Sequence, residues 1–298
     1  MVSDLTFVPA ADFDYVKAEE PWKNMTLHYY SMAQVESFDG YAWSRWTAQN
    51  WQIPLGAVLT YLAMIPALRA VVKEKWSIKR FAIAWNLLLS GFSVCGLVRC
   101  LPVLLGELKM NGLYFTICAP APWYGGGPHG LFVALFIYSK LAELVDTILL
   151  LVSKRPVILL HWWHHVTVLL YCWHSYSVQI ATGLYYATMN YAVHSLMYLY
   201  FAATQTPLRK RVRPFAIYIT LLQLAQMVVG IFVTVKAVLY QASGDDCRVN
   251  KTNSILGLTM YSSYFLLFLK LFLENYVFSS PSSASSSAAS SAAAKKLD

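Results

Sequence analysis

The sequence predicts an all-α, polytopic membrane protein with seven transmembrane helices, on three observations. Hydrophobic residues make up 57% of the 298 positions and charged residues only 13%, which is too apolar for an ordinary soluble domain. The apolar residues gather in stretches long enough to cross about 30 Å of hydrocarbon. Lysines and arginines recur between alternate stretches, as membrane topology signals do. The formal charge of +8 therefore reads as a topology signal. A nucleic-acid partner is not expected, because the basic residues sit in short clusters between spans.

Residues 1–50 form a polar, aromatic-rich lumenal segment. Met1 to Lys17 contains no continuous apolar run of the signal-peptide kind, so the first span is expected to target the chain. Spans are expected at 51–72, 81–106, 131–153, 157–176, 180–204, 214–240 and 254–278, which together make a membrane domain over 51–278. The third and fourth are separated by little more than Lys154, Arg155 and Pro156, and so should form an antiparallel hairpin. Lys73, Lys75, Lys79 and Arg80 follow the first span, Lys154 and Arg155 the third, and Arg209, Lys210, Arg211 and Arg213 the fifth. The opposite loops hold only Lys109, Arg248 and Lys251. This alternation predicts a lumenal N-terminus and a cytosolic C-terminus. Sequons at Asn24 and Asn250 fall on the side assigned to the lumen.

Gly125, Gly126 and Gly127 are read as a turn. Residues 279–298 form a Ser/Ala low-complexity tail that cannot bury a core and is expected to be a disordered cytosolic tether. Its Lys295 and Lys296 resemble a dilysine signal for retrieval to the endoplasmic reticulum. The five cysteines show no CxxC and no metal-site spacing.

Four expected helices each carry a polar stripe. At about 100° per residue, Lys140, Glu143 and Asp146 fall within about 120° of one face, with Thr147 between the first two. His161, His164 and His165 share the next helix. Asn190, His194, Met197 and Tyr198 share the fifth span, and Thr220, Gln223 and Gln226 the sixth. An ionisable group at mid-membrane costs roughly 2.5 to 3.5 kcal/mol on insertion scales, so a cluster of them points to a functional site. Interhelical packing contacts, worth about 0.6 kcal/mol each, account for Thr220, Gln223 or Asn190 taken singly. They do not account for a lysine, two carboxylates and four histidines at one depth. With about 1.5 Å of rise per residue, Asp146, His161 and Gln223 lie roughly 9 to 15 Å inside the boundary marked by Lys154, Arg155 and Arg213. The site should open to the cytosol.

Three chemistries compete for the histidines. A di-iron desaturase or hydroxylase also uses HxxHH, but needs about eight histidines where this chain has seven. A single-metal site could use histidines at i, i+3 and i+4 with a carboxylate. Imidazole could instead act as nucleophile and acid or base, since neutral imidazole attacks activated acyl groups. An alternative from another class is a seven-span retinal photoreceptor or transporter, with Lys270 in the last span as the Schiff-base candidate.

The motifs Lys140-x-x-Glu143-x-x-Asp146-Thr147, His161-x-x-His164-His165, His194-x-x-Met197-Tyr198 and Thr220-x-x-Gln223-x-x-Gln226 occur in order, one per helix. In this the sequence resembles the ELO family of very-long-chain fatty acid elongases, over about residues 45–278. It is most similar to the branch acting on saturated and monounsaturated long chains. The resemblance implies a 3-oxoacyl-CoA synthase of the endoplasmic reticulum membrane, which condenses malonyl-CoA with a long-chain acyl-CoA and releases CO2 and CoA. It also implies six helices closed as a barrel around an acyl tunnel, and no cofactor. Reductase and dehydratase partners would complete the cycle, and a homodimer is possible.

On this reading His164 is the nucleophile, with His161, His165, His194, Asp146, Lys140 and Glu143 as the other catalytic candidates. Asn190, Tyr198, Gln223, Gln226, Arg209, Lys210 and Arg211 are the substrate-binding candidates, the three basic residues for the phosphates of CoA. An acyl chain running towards the lumen should meet Leu170, Trp173 and Tyr185. Family members carry cysteines at places similar to Cys118 and Cys247. Both fall on the oxidising side, and a disulfide between them is expected.

Overall fold

A computed structural model describes residues 38–278, all of them helix, turn or loop with no strand among the described residues. The Asn24 sequon, the Ser/Ala tail and Lys295-Lys296 lie outside the described residues. The helices of eight residues or more among the described residues are α1 (Gly40–Gln49), α2 (Gln52–Val71), α3 (Lys79–Cys118), α4 (Gly127–Ala142), α5 (Val145–Val152), α6 (Leu159–Ser177), α7 (Gly183–Thr204), α8 (Ala216–Ala242) and α9 (Lys251–Phe272). Among the described residues, four helical segments have both the length and the apolarity to cross a membrane: Gln52–Val71, Lys79–Cys118, Arg209–Ala242 and Lys251–Val277. Helices α6 and α7 have the length but carry the polar motifs that lower their hydropathy. The third expected span is divided between α4 and α5.

Each of the seven expected segments is helical, with two departures. The second helix continues past 106 and bends at Gly112, whose φ of 81° is open to glycine and strained for other residues. The third is interrupted where Leu144, Asp146 and Thr147 donate to carbonyls three residues back, Leu141, Glu143 and Leu144. This tightened turn is of the 3₁₀ kind.

The polar, aromatic-rich segment before the first span contains α1. Asp39 caps it, its Oδ1 accepting from the backbone N–H groups of Tyr41 at 3.0 Å and Ala42 at 3.1 Å. Gly40 is required because a Cβ there would enter the carbonyl of Gly125. Helix α1 is fixed across its buried face by Ser44 donating to the Tyr176 carbonyl at 2.7 Å, and by Trp173 donating to the Thr47 carbonyl at 2.9 Å.

Packing neighbours follow the order α3, α7, α8, α9, α6, α4 and back to α3, while α2 lies against α5 and α6. The loops after α2 and α5 are stitched together at one end. There Trp76 N–H donates to the Val152 carbonyl at 3.0 Å, and Lys154 donates to the Val72 carbonyl. At the opposite end Cys118 and Cys247 form a disulfide, and the Arg248 N–H donates to the Cys118 carbonyl at 2.9 Å. The disulfide ties the end of α3 to the loop before α9 across 129 residues of sequence.

Cys95, Cys100 and Cys172 are free. Alkylation of the denatured protein without reductant should therefore modify three thiols, rising to five after reduction. Mass spectrometry that finds five before reduction would contradict the Cys118–Cys247 pairing.

Candidate active site

The tightened turn between α4 and α5 distributes the Lys140–Thr147 motif over partners on α2, α3, α6 and α7, where a straight helix would have kept it on one face. Before the turn, Lys140 and Glu143 remain together, with Nζ to Oε1 at 2.6 Å and both side chains buried. Lys140 also donates to Asn190 Oδ1 on α7 at 3.2 Å, and its ammonium lies 4.3 Å from the ring centre of Phe136. Ser139 donates to the same Glu143 oxygen at 3.3 Å. Asn190 Nδ2 is 3.1 Å from His194 Nε2 one turn further along α7, and His194 Nδ1 stands 3.9 Å from Glu143 Oε1.

After the turn, Asp146 receives the indole N–H of Trp85 at 2.7 Å and the hydroxyl of Tyr198 at 2.8 Å, one on each carboxylate oxygen. Thr147 meets Tyr61 Oη at 2.9 Å and His161 Nε2 at 2.8 Å.

On α6, the rings of His161 and His165 have centres 4.5 Å apart, and those of His164 and His165 are 5.5 Å apart. Tyr264 of α9 lies against His164 with ring centres 5.0 Å apart, and its hydroxyl donates to the His164 carbonyl at 3.2 Å. The Nδ1 atoms of His164 and His165 are buried without a hydrogen-bond partner.

These groups surround a cavity of about 420 Å3. Its wall includes His161, His164, His165, His194, Glu143, Asp146, Asn190, Tyr198, Gln223 and Gln226. Lys140 stands behind this wall, holding Glu143 and Asn190. Gln223 donates to Met197 Sδ at 3.3 Å. Arg209, Lys210 and Arg211 lie on an exposed helical turn outside the lining. Arg155 and Pro156 reach the cavity instead.

Leu170, Trp173 and Tyr185 do not line this cavity. Trp173 is fully buried against α1 and Tyr138, and Tyr185 Oη sits 2.9 Å from Thr116 Oγ1. This cavity therefore does not extend to the three residues expected to meet an acyl chain deeper towards the lumen, and α1 packs against Trp173.

Trp85, Tyr61 and Arg155 belong to the site but to none of the motifs. Trp85 and Tyr61 are lone polar aromatics in apolar helices, where most such residues only pack. The Lys270 side chain is 70% exposed and stands 3.8 Å from Glu274, which places it outside the bundle interior that a Schiff-base lysine would need. No three His, Cys, Asp or Glu side chains among the described residues converge as a metal-ion ligand set.

Removing one partner of a buried ion pair costs about 3–5 kcal/mol, because the other charge is left without compensation. Lys140→Met should lower thermal stability in detergent by that order, whereas Lys140→Met combined with Glu143→Leu should recover part of the loss. A double variant no more stable than the single one would mean that the charge of Glu143 is compensated elsewhere.

The family model described as ELO: GNS1/SUR4 family matches residues 46–284, which contain every group of this cavity. The chain is 37% identical over 262 residues to Fatty acid elongase 3 of Trypanosoma cruzi (strain CL Brener), covering 78% of this chain and 86% of that one. It is 38% identical over 276 residues to Fatty acid elongase 3 of Trypanosoma brucei brucei, covering 82% and 90%. With Fatty acid elongase 1 of the same organism it shares 43% over 205 residues, 67% of each chain. The motif helices fall inside the family match, and the chain belongs to the ELO (GNS1/SUR4) family.

Proposed function

We infer that this membrane protein is the condensing enzyme of very-long-chain fatty acid elongation, a 3-oxoacyl-CoA synthase that works through an acyl-imidazole on His164. Its substrates are a long-chain acyl-CoA, of the saturated or monounsaturated class, and malonyl-CoA. The observation that carries the choice of nucleophile is the difference between the histidines. His161 is held at Nε2 by Thr147 and His194 at Nε2 by Asn190, whereas His164 and His165 line the cavity with no ring hydrogen-bond partner among the described residues, and of these two His164 is the middle histidine of the box, flanked by His161 and His165.

In the first half-reaction the imidazole lone pair attacks the thioester carbonyl, the C–S bond breaks, and the imidazole proton neutralises the departing thiolate. In the second, malonyl-CoA loses CO2, and the resulting enolate attacks the acyl carbon and expels the imidazole, which is reprotonated. Both halves develop negative charge on oxygen. Donors held in advance in a water-poor wall stabilise such charge most effectively, and Asn190, His194 and Gln226 are the candidates. No cofactor takes part in this scheme.

The closed packing order of six helices with α2 outside supports a six-helix barrel within a seven-span topology. The basic loops gathered at one end support a cytosolic face there and a lumenal disulfide at the other. Residence in the endoplasmic reticulum, a homodimer and association with the reductase and dehydratase of the cycle extend the same reading.

Enzyme given acyl-CoA alone should release CoA up to one equivalent per site. His164→Ala should abolish both this burst and condensation, whereas Gln223→Ala should keep the burst. A burst that survives in His164→Ala would move the nucleophile elsewhere, and no CoA release before malonyl-CoA arrives would replace the covalent route by a ternary complex.

A further inference from the structure

We propose that Thr147, backed by Tyr61 on the helix packed outside the closed set of six, is a positioning residue that holds His161 as its Nδ1–H tautomer. His161 then presents an N–H donor to the cavity and cannot serve as a base. The argument is one of proton accounting. Tyr61 Oη and Thr147 Oγ1 are 2.9 Å apart, and Thr147 Oγ1 and His161 Nε2 are 2.8 Å apart. Each hydroxyl carries one proton, and Thr147 cannot accept from both neighbours without leaving its own fully buried proton unpaired, so two directions remain.

If His161 Nε2 carried a proton, it would donate to Thr147, and Thr147 would donate to Tyr61. The phenol proton would then have no acceptor, since Tyr61 Oη meets no other polar partner among the described residues and Tyr61 is only 2% exposed. An unpaired proton buried in this way is costly. In the opposite direction the phenol donates to Thr147, Thr147 donates to Nε2, and both protons are paired. Nε2 is then an acceptor, and the ring proton resides on Nδ1. That nitrogen has no protein partner among the described residues. Unlike Nδ1 of His164 and His165 it is not sealed off, and its ring lines the cavity. An N–H at this position can meet the developing oxyanion.

The kinetic part of this inference rests on the condensing-enzyme reading, and the tautomer part does not. The test is ¹⁵N NMR of histidine-labelled full-length protein in lipid nanodiscs, with His161 signals assigned by comparison with His161→Asn. Wild type and Thr147→Ser should show His161 protonated at Nδ1. Thr147→Val should shift it towards a mixture of tautomers, because Nε2 then has no donor that holds it as an acceptor, whereas Tyr61→Phe, which leaves Nε2 as the acceptor for the Thr147 proton, should keep the Nδ1–H signal. In parallel, kcat for condensation should fall about ten- to hundredfold in Thr147→Val with KM little changed, and Thr147→Ser should keep the rate. Protonation at Nε2 in wild type, or an unmoved Nδ1–H signal in Thr147→Val, overturns the proposal. Wild-type protein with the expected tautomer but no 3-oxoacyl-CoA product would instead overturn the condensing-enzyme reading, leaving the tautomer assignment standing on the NMR.

Discussion

The architecture depends on the need to neutralise Lys140 inside an apolar bundle. A lysine with 2% exposure persists only if its charge and its donors find partners close by. Glu143 supplies the charge one helical turn away, and Asn190 supplies an acceptor from a different helix. That second contact aligns α4 with α7, and Asn190 in turn holds His194. A charge that is expensive to bury thus becomes the reason that two motif helices meet in one register. Trp85 and Tyr198 do the same for Asp146, drawing α3 and α7 onto the start of α5.

The break between α4 and α5 is the second consequence of crowding polar groups together. A regular helix would have sent Glu143, Asp146 and Thr147 towards one neighbour, and no single helix could satisfy a carboxylate pair and a hydroxyl. Tightening the turn redirects Asp146 to Trp85 and Tyr198, and Thr147 to Tyr61 and His161. Irregular backbone at membrane depth is tolerated where it borders a cavity or is buried in protein. Here the break coincides with the wall of the cavity, and the backbone groups are retained by bonds to carbonyls three residues back.

Most of the site was legible because membrane burial makes polarity conspicuous. HxxHH and the stripe from Lys140 to Asp146 stand out against leucine and valine, and ten of the residues they and the later motifs supply do line one cavity. What the sequence concealed falls into two kinds. Trp85 and Tyr61 are aromatic, and aromatic residues are so common in this chain that a hydrogen-bonding one has no signature until its partner is known. Helix α1 was hidden for a different reason. It is short, and its polar face, Ser44 and Thr47, is the buried one, bonded to Tyr176 and Tyr138, so apolar periodicity gives no sign of it.

The two ends of the bundle are built for different electrostatic tasks. The disulfide end is closed by covalent and backbone contacts, with Cys118, Cys247 and Arg248 in one knot and α1 seated beside it. The other end gathers the basic loops, and one of their arginines, Arg155, reaches the cavity wall itself. A thioester carrying several phosphates is attracted to such an end over roughly a Debye length, about 8 Å at physiological ionic strength. Arg209, Lys210 and Arg211 remain exposed in solvent, where their pull is screened and not directional. Arg155 is exposed as well, but it differs in bordering the cavity, beside Pro156, Ile158 and Leu160. The same residue that reads in sequence as a topology marker is therefore the basic group best placed to orient an anionic head group at the cavity mouth.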